Sequence, residues 1–179
     1  MDLCDNFEMP IETTRAPIEE KEVLQRLMEL YLYDFSEFDS ADLDDQAAYG
    51  YPYLDRYWIE PERVPFLIRV DEMLAGFVLV CEHSWLGNPG KMIAEFFVMR
   101  KYRGRGVGRT AAFTVFDSFP GHWEVSQIAQ NQPAQEFWRK VIGEYTHGNY
   151  REVMLDNADW QGPVQVFDNT WAMEAQEPR

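Results

Sequence analysis

The chain is poor in cysteine, poor in positive charge and without a long apolar run. Its 179 residues hold two cysteines, Cys4 and Cys81. Two make no disulfide framework, and neither has the spacing of a metal ligand set, so no metal is expected and a reducing, cytoplasmic setting is the simplest reading. Cys81 ends an apolar run and reads as a small core residue; Cys4, near the terminus, reads as exposed. No stretch approaches the roughly 18 uninterrupted apolar residues of a membrane span. The start, Met1-Asp2-Leu3-Cys4-Asp5, lacks the basic region of a signal peptide, so no membrane partner is expected. Lysine and arginine number 16 against 31 acidic residues, a formal charge of −15. A nucleic-acid partner demands a basic face and is excluded on that ground. Internal repeats and low-complexity blocks are also absent.

What is present fits one domain over 1–179, with a core from about residue 10 to 168 and a polar tail from 169. Hydrophobic residues make up 46%, enough for a packed interior. Against the acidic background one block stands out: Arg100 to Arg109, R-K-Y-R-G-R-G-V-G-R, with five basic residues and no acidic one. Ahead of it runs an apolar segment, Met92 to Met99. Behind it Val107, Ala111, Val115 and Phe119 recur at helical spacing. A strand feeding a glycine loop that opens a helix is an anion-binding arrangement. Gly104, Gly106 and Gly108 let the backbone approach a ligand, the helix start offers unpaired N–H groups, and Arg103, Arg105 and Arg109 add charge-assisted hydrogen bonds to phosphate. The structural alternative is a Gly/Arg-rich surface turn.

The loop has neither the G-x-x-x-x-G-K-[ST] spacing of nucleoside triphosphatases nor G-x-G-x-x-G. It reads R-x-x-G-x-G from Arg103 to Gly108. That pattern, with E-F-F-V (Glu95 to Val98) before it and N-Q-P-A-Q-E-F-W (Asn131 to Trp138) after it, resembles the GNAT superfamily of acyl-CoA-dependent N-acetyltransferases. The likeness extends to bacterial-type acetyltransferases of unassigned acceptor. It covers roughly residues 10–168 and is sharpest from Glu95 to Gly143.

The order of elements agrees with that resemblance. A strand over 10–16 precedes a helix from Pro17 to about Tyr33. A loop with one or two helical turns follows over 34–62. Strands are expected at 65–70, 74–81 and 92–99, a helix to about Ser118, a strand over 123–129, a helix from Pro133 to Gly143, and strands over 150–155 and 164–167. The implied fold is α/β (α+β): a mixed, mostly antiparallel sheet of about seven strands flanked by about four helices.

The resemblance implies acetyl-CoA as co-substrate, lying between splayed fourth and fifth strands. Its pantetheine would pair with Phe97, Val98 and Met99, and its pyrophosphate would sit on Arg103, Gly104, Arg105, Gly106, Val107, Gly108 and Arg109. Asn131 would bond the pantetheine, cap the following helix, or both. The Val98 N–H would polarise the thioester carbonyl. Glu95 is the candidate base that frees the amine's lone pair; its alternative is a structural ion pair, with Arg69 as partner. His83 is a weaker candidate base. The family often has a tyrosine where this chain has Trp138, which donates no useful proton; Tyr145 and Tyr150 are the candidate replacements.

Residues 34–62 interleave Asp34, Glu37, Asp39, Asp42, Asp44, Asp45 and Asp55 with Phe35, Phe38, Tyr49, Tyr51, Tyr53, Tyr57 and Trp58. They form either a solvated face docked by its aromatics or a pocket for a cationic amine acceptor. Two functions stay open: N-acetyl transfer to a primary amine, as a monomer or homodimer, and a non-catalytic acyl-CoA-binding or sensing module.

Overall fold

The computed structural model describes residues 10–170. Cys4 and most of the expected polar tail lie outside the described residues. The strands are β1 (Ile11–Arg15), β2 (Val64–Val70), β3 (Met73–Glu82), β4 (Lys91–Val98), β5 (His122–Ser126), β6 (Arg151–Asp156) and β7 (Gln161–Asp168). They form one sheet in the order β1-β2-β3-β4-β5-β7-β6. Every pairing is antiparallel except β4 with β5, which is parallel. The helices are α1 (Lys21–Asp39), α2 (Val107–Asp117) and α3 (Gln132–Tyr145), with 3-10 turns at Ile18–Glu20, Leu54–Trp58 and Arg100–Tyr102.

Two expectations need correction. α1 runs to Asp39, not Tyr33, because Phe35 and Phe38 continue the apolar stripe of Leu24, Leu27, Met28 and Tyr31 at helical spacing. It ends where Ser40 turns left-handed (φ 59°) and its N–H returns to the Ser36 carbonyl. The expected fourth helix is only the turn at Leu54–Trp58, so the described residues hold three α-helices. Side chains satisfy the backbone that a helix would otherwise pair. Glu29 accepts the N–H groups of Tyr49 and Gly50, and Asp44 accepts those of Gln46 and Ala48.

The sheet divides the core in two. On one face Leu24, Leu27 and Met28 of α1 pack with Leu54, Tyr57, Phe77, Leu79 and Phe97. On the other α2 and α3 cover Val78, Val80, Ile93 and Val98, with Trp123, Phe116 and Trp138 filling the centre. β3 alternates between the two clusters and is buried on both sides, as its unbroken apolar run requires. Cys81 is buried, as expected of a core residue, and its burial pushes the thiol up to about 11.

The feature that positions the site is a parting of strands. β4 meets β5 only at Lys91↔Trp123, Met92↔Glu124 and Ile93↔Val125. Beyond Ile93 it runs on to Val98 while β5 follows β7, and Phe137 and Trp138 of α3 pack on Phe96 (ring centroids 5.7 and 4.9 Å). β4 also carries a bulge. Leu79 faces Glu95 and Val80 faces Ile93, leaving Ala94 as the extra residue. After the bulge Glu95 and Phe97 share the α1 face, and Phe96 and Val98 share the other.

β3 approaches β4 closely at Gly76, where a Cβ would lie 2.0 Å from the Phe97 carbonyl oxygen. Gly76→Ala therefore forces the two strands apart. Its expected cost is about 1–3 kcal/mol, read in a thermal melt as a fall of roughly 2–12 °C.

Candidate active site

A cleft of about 540 Å³ opens where β4 and β5 part, a volume ordinary for a small-molecule site. β4 supplies Phe96, Phe97 and Val98 to its walls, the glycine loop Arg103, Gly104, Gly106, Gly108 and Arg109, and the start of α3 Asn131, Ala134, Phe137 and Trp138. The C-terminal half of α1 supplies Tyr31, Asp34, Phe35 and Phe38. Of the residues expected from the sequence, Glu95, Met99, Arg105 and Val107 do not line it. Val107 is fully buried in the core, and the Met99 N–H is spent on the Ala75 carbonyl (2.8 Å).

The direction of one peptide decides what the cleft can do. The Phe97 carbonyl points at β3, against Gly76. In a trans peptide the next N–H points the opposite way, so the Val98 N–H faces the gap, where β5 offers no partner. The Val98 carbonyl, on that same side, accepts Nε of Arg103 at 2.7 Å. Val98 thus presents one donor to a ligand lying in the gap, with its acceptor already occupied.

At the mouth, Gly104 (φ 72°) and Gly106 (φ 81°) take left-handed conformations, and Gly106 caps α2. A Cβ on either would meet nothing within 4 Å, so open space lies before the loop. Gly108 differs: its Cβ would sit 3.1 Å from the Phe137 ring, which makes it a packing glycine between α2 and α3. The first N–H groups of α2 have no partner within the helix and add their dipole to the loop's charge. Arg103 and Arg100 converge on Asp34 (2.5 and 2.8 Å), and Arg109 pairs with Glu144 at 2.5 Å while stacking on Phe113. Burial raises the Asp34 carboxyl, but the hydrogen bonds from the two arginines win and hold it below its ordinary range. Asn131 caps α3, its Oδ1 accepting the Ala134 N–H at 3.0 Å, and it also lines the cleft.

Glu95 lies on the α1 side of the gap. Tyr31 donates to its Oε2 at 2.6 Å, and Arg69, the alternative partner, pairs with Glu20 instead. Burial pushes Glu95 up to about 7, against the pull of hydrogen bonds from Tyr31 and Tyr51. A carboxyl poised there exchanges protons near neutrality. The other candidates stand away from the cleft. His83 packs edge-on against Trp85 (4.6 Å), and the Tyr145 hydroxyl donates to Asp117 (2.7 Å). Tyr150 lies beside Gly143.

The sequence reading missed the contribution of α1. Tyr31, Asp34, Phe35 and Phe38 stand at i, i+3, i+4 and i+7, the spacing of one helical face, but ending the helix at Tyr33 hid it.

A mixed sheet that parts between two parallel strands, with a glycine–arginine loop opening a helix at the mouth, is the build of an acyl-CoA-dependent acetyltransferase. Residues 24–143 match the model of the acetyltransferase (GNAT) family, about two thirds of the chain, and the chain belongs to that family. A search of curated proteins finds no match. Among solved structures, an acetyltransferase from Thermus thermophilus is 15% identical, with 89% of this chain and 97% of that one covered and a TM-score of 0.64. PaiA N-acetyltransferase from Thermoplasma acidophilum, in complex with coenzyme A, is 12% identical over 89% and 99%, with a TM-score of 0.57. AAC(6')-Iy in complex with the bisubstrate analogue CoA-S-monomethyl-acetylneamine is 13% identical over 74% and 89%, with a TM-score of 0.55. At these identities the likeness is one of fold. The described residues contain no cluster able to hold a metal ion and no helix long and apolar enough to cross a membrane.

The raised Glu95 value has a signed consequence. The folded protein holds this proton more tightly than the unfolded chain, so its contribution to stability is full below about pH 4.5 and is lost as pH rises through about 7. The groups facing it, Tyr31, Tyr51, Tyr57 and Cys81, are all raised as well and stay neutral across that window. Glu95→Gln is expected to lie about 1–3 kcal/mol higher in stability relative to wild type at about pH 8.5 than at about pH 5. Urea unfolding at the two pH values checks this; an equal difference at both contradicts the burial of an ionisable carboxyl.

Proposed function

We propose that the protein transfers the acetyl group of acetyl-CoA to a primary amine by direct attack. The observation that carries this is the Val98 N–H directed into the parted strands, with the glycine–arginine loop on one side of it and Glu95 on the other. In this reading the pyrophosphate lies on Gly104, Gly106, the start of α2 and the arginines, and the pantetheine runs along Phe97 and Val98. The thioester oxygen accepts the Val98 N–H, which becomes stronger as charge develops on that oxygen. Glu95 takes the amine's proton, directly or through water, and the amine attacks the carbonyl carbon. The C–S bond then breaks, and coenzyme A leaves with a proton. The cytosol, where acetyl-CoA is made available and a thiol such as Cys81 stays reduced, is the fitting setting.

A non-catalytic acyl-CoA-binding module is the second reading, favoured by Trp138 at the position where the family often has a tyrosine. The two readings share their ligand and differ in turnover.

Coenzyme A at about 100 times its Kd is expected to stabilise the fold by about 2.7 kcal/mol, a rise of roughly 5–10 °C in Tm. Gly106→Val fills the space before the loop and removes that rise, whatever its effect on the unliganded melt. Pyrophosphate or ATP producing an equal shift would contradict the assignment of the donor. With a turnover assay following free thiol release across a set of amines, Glu95→Gln lowers kcat by about 100-fold or more with CoA affinity unchanged. A silent wild type that binds coenzyme A selects the binding module.

The acceptor is proposed to be a cationic amine. Part of the acidic segment is committed elsewhere: Asp34 to arginines, Asp55 to Lys21, Asp44 to its own loop. Exposed Asp42 and Asp45, with half-buried Tyr49 and Tyr51, remain to attract a positive chain. A polyamine or lysine-rich peptide is expected to outperform an acidic amine, with an apparent KM that rises with salt. Preference for the acidic amine would assign the segment to a solvated face.

A further inference from the structure

Direct transfer to an amine leaves one proton event without an assigned group. The departing sulfur needs a proton, or must leave as thiolate. Trp138 occupies the position where the resemblance implies a tyrosine, and its buried ring packs against Phe96 and Phe116. Tyr145 lies in the core with its hydroxyl on Asp117. Several polar groups of the cleft are engaged: Asp34 holds Arg100 and Arg103, and Glu144 holds Arg109.

One phenol among the described residues does line the cleft. Tyr31 projects from the middle of α1 and stands in the wall beside Phe97 and Val98. Phe77 and Phe97 fix its ring at 5.7 and 5.9 Å, and its hydroxyl reaches Glu95 Oε2 at 2.6 Å. Glu95 itself is not part of that wall. Tyr31 therefore joins the two: the residue contributes to the wall of the cleft, and its hydroxyl rests on a carboxyl outside that wall, which Tyr51 also touches from the loop after α1.

We propose that Tyr31 is the catalytic acid, passing its hydroxyl proton to the departing sulfur of acetyl-CoA while Glu95 replaces that proton with the one taken from the amine. This rests on the reading of the site as an N-acetyltransferase. The balance closes for an amine arriving neutral. The N–C bond forms and the C–S bond breaks. One amine proton moves to Glu95, the Tyr31 proton moves to sulfur, and the Glu95 proton moves to the Tyr31 oxygen. The products are the amide and the free thiol, and both side chains return to their starting forms. Burial, and next the charge on Glu95, raise Tyr31 well above its ordinary value, so a free tyrosinate is not formed. The phenol gives up its proton only as Glu95 supplies another, which is what a 2.6 Å hydrogen bond permits.

The test separates an acid from a residue that merely holds Glu95. Tyr31→Phe keeps the ring and removes the hydroxyl. Acetyl-CoA is compared with its selenoester counterpart, whose selenol is the stronger acid and leaves without a proton. Turnover by Tyr31→Phe is expected to fall about 100-fold with the thioester and only about threefold or less with the selenoester. Glu95→Gln lowers turnover with both, because the amine must lose its proton either way. An equal loss in Tyr31→Phe with the two donors would overturn the proposal and leave Tyr31 as a support for Glu95.

A binding comparison reads the same contact without turnover. Wild-type protein should bind coenzyme A about threefold or more tighter than desulfo-coenzyme A, and Tyr31→Phe should lose that difference, as removal of one hydrogen bond does. Equal affinity of the wild type for both ligands places the phenol away from sulfur and overturns the proposal, whatever the protein does with amines. A wild type that discriminates the two ligands yet acetylates no amine refutes the transferase reading, and with it the acid role.

Discussion

A strand that loses its neighbour leaves backbone groups that something else must satisfy. β4 is in that position from Ala94 onward: β3 stays paired on one side, and β5 departs on the other. The exposed edge is not left bare. Arg103 reaches back from the loop to the Val98 carbonyl, and the aromatic start of α3 covers Phe96. The Val98 N–H stays directed at the gap. The cleft, its polarity and the placing of the loop at its mouth all follow from this parting, because the same chain that leaves β4 at Val98 turns at once into the glycine loop and α2.

α1 ties the two ends of the site together. Asp34 and Tyr31 are one turn apart on one face; the first holds the loop arginines and the second holds Glu95. The electrostatics of the two carboxyls differ. Arg100 and Arg103 hold the Asp34 carboxyl below its ordinary range, so its charge is favoured, whereas Glu95 sits where burial makes its charge expensive. The aromatic rings around Tyr31 fix the phenol, so the pair is held by packing on α1 and not by a neighbouring cation.

Much of this was legible in the sequence. The Arg103 to Gly108 pattern, between an apolar strand and a helical repeat, located the mouth of the cleft, and E-F-F-V located the strand that parts. Strand alternation correctly paired Glu95 with Phe97. The face they share, however, is set by a bulge at Ala94 that no residue type announces, since a bulge appears only when the partner strand's register is known. The reach of α1 was hidden for a different reason. Asp34, Glu37 and Asp39 fell in the acidic segment read as loop, whereas Phe35 and Phe38 kept the helical period and buried the stripe. The glycines looked alike in sequence and are not: Gly104 and Gly106 need left-handed backbone, while Gly108 needs room for Phe137. Arg69 as partner of Glu95 failed because the two belong to different neighbourhoods, a matter of tertiary contact alone.

The central claim is that the gap beside Val98 is the donor's berth. Amide hydrogen exchange resolved at single residues tests it most directly, with and without coenzyme A. The N–H groups of Phe97 and Met99, which face β3, should be protected in both states. The Val98 N–H should exchange quickly in the unliganded protein and slow by about tenfold or more once the ligand pairs with it, the change expected when an exposed amide gains a partner. Slow exchange of Val98 that coenzyme A leaves untouched, with protection arising elsewhere in the sheet, would contradict the account.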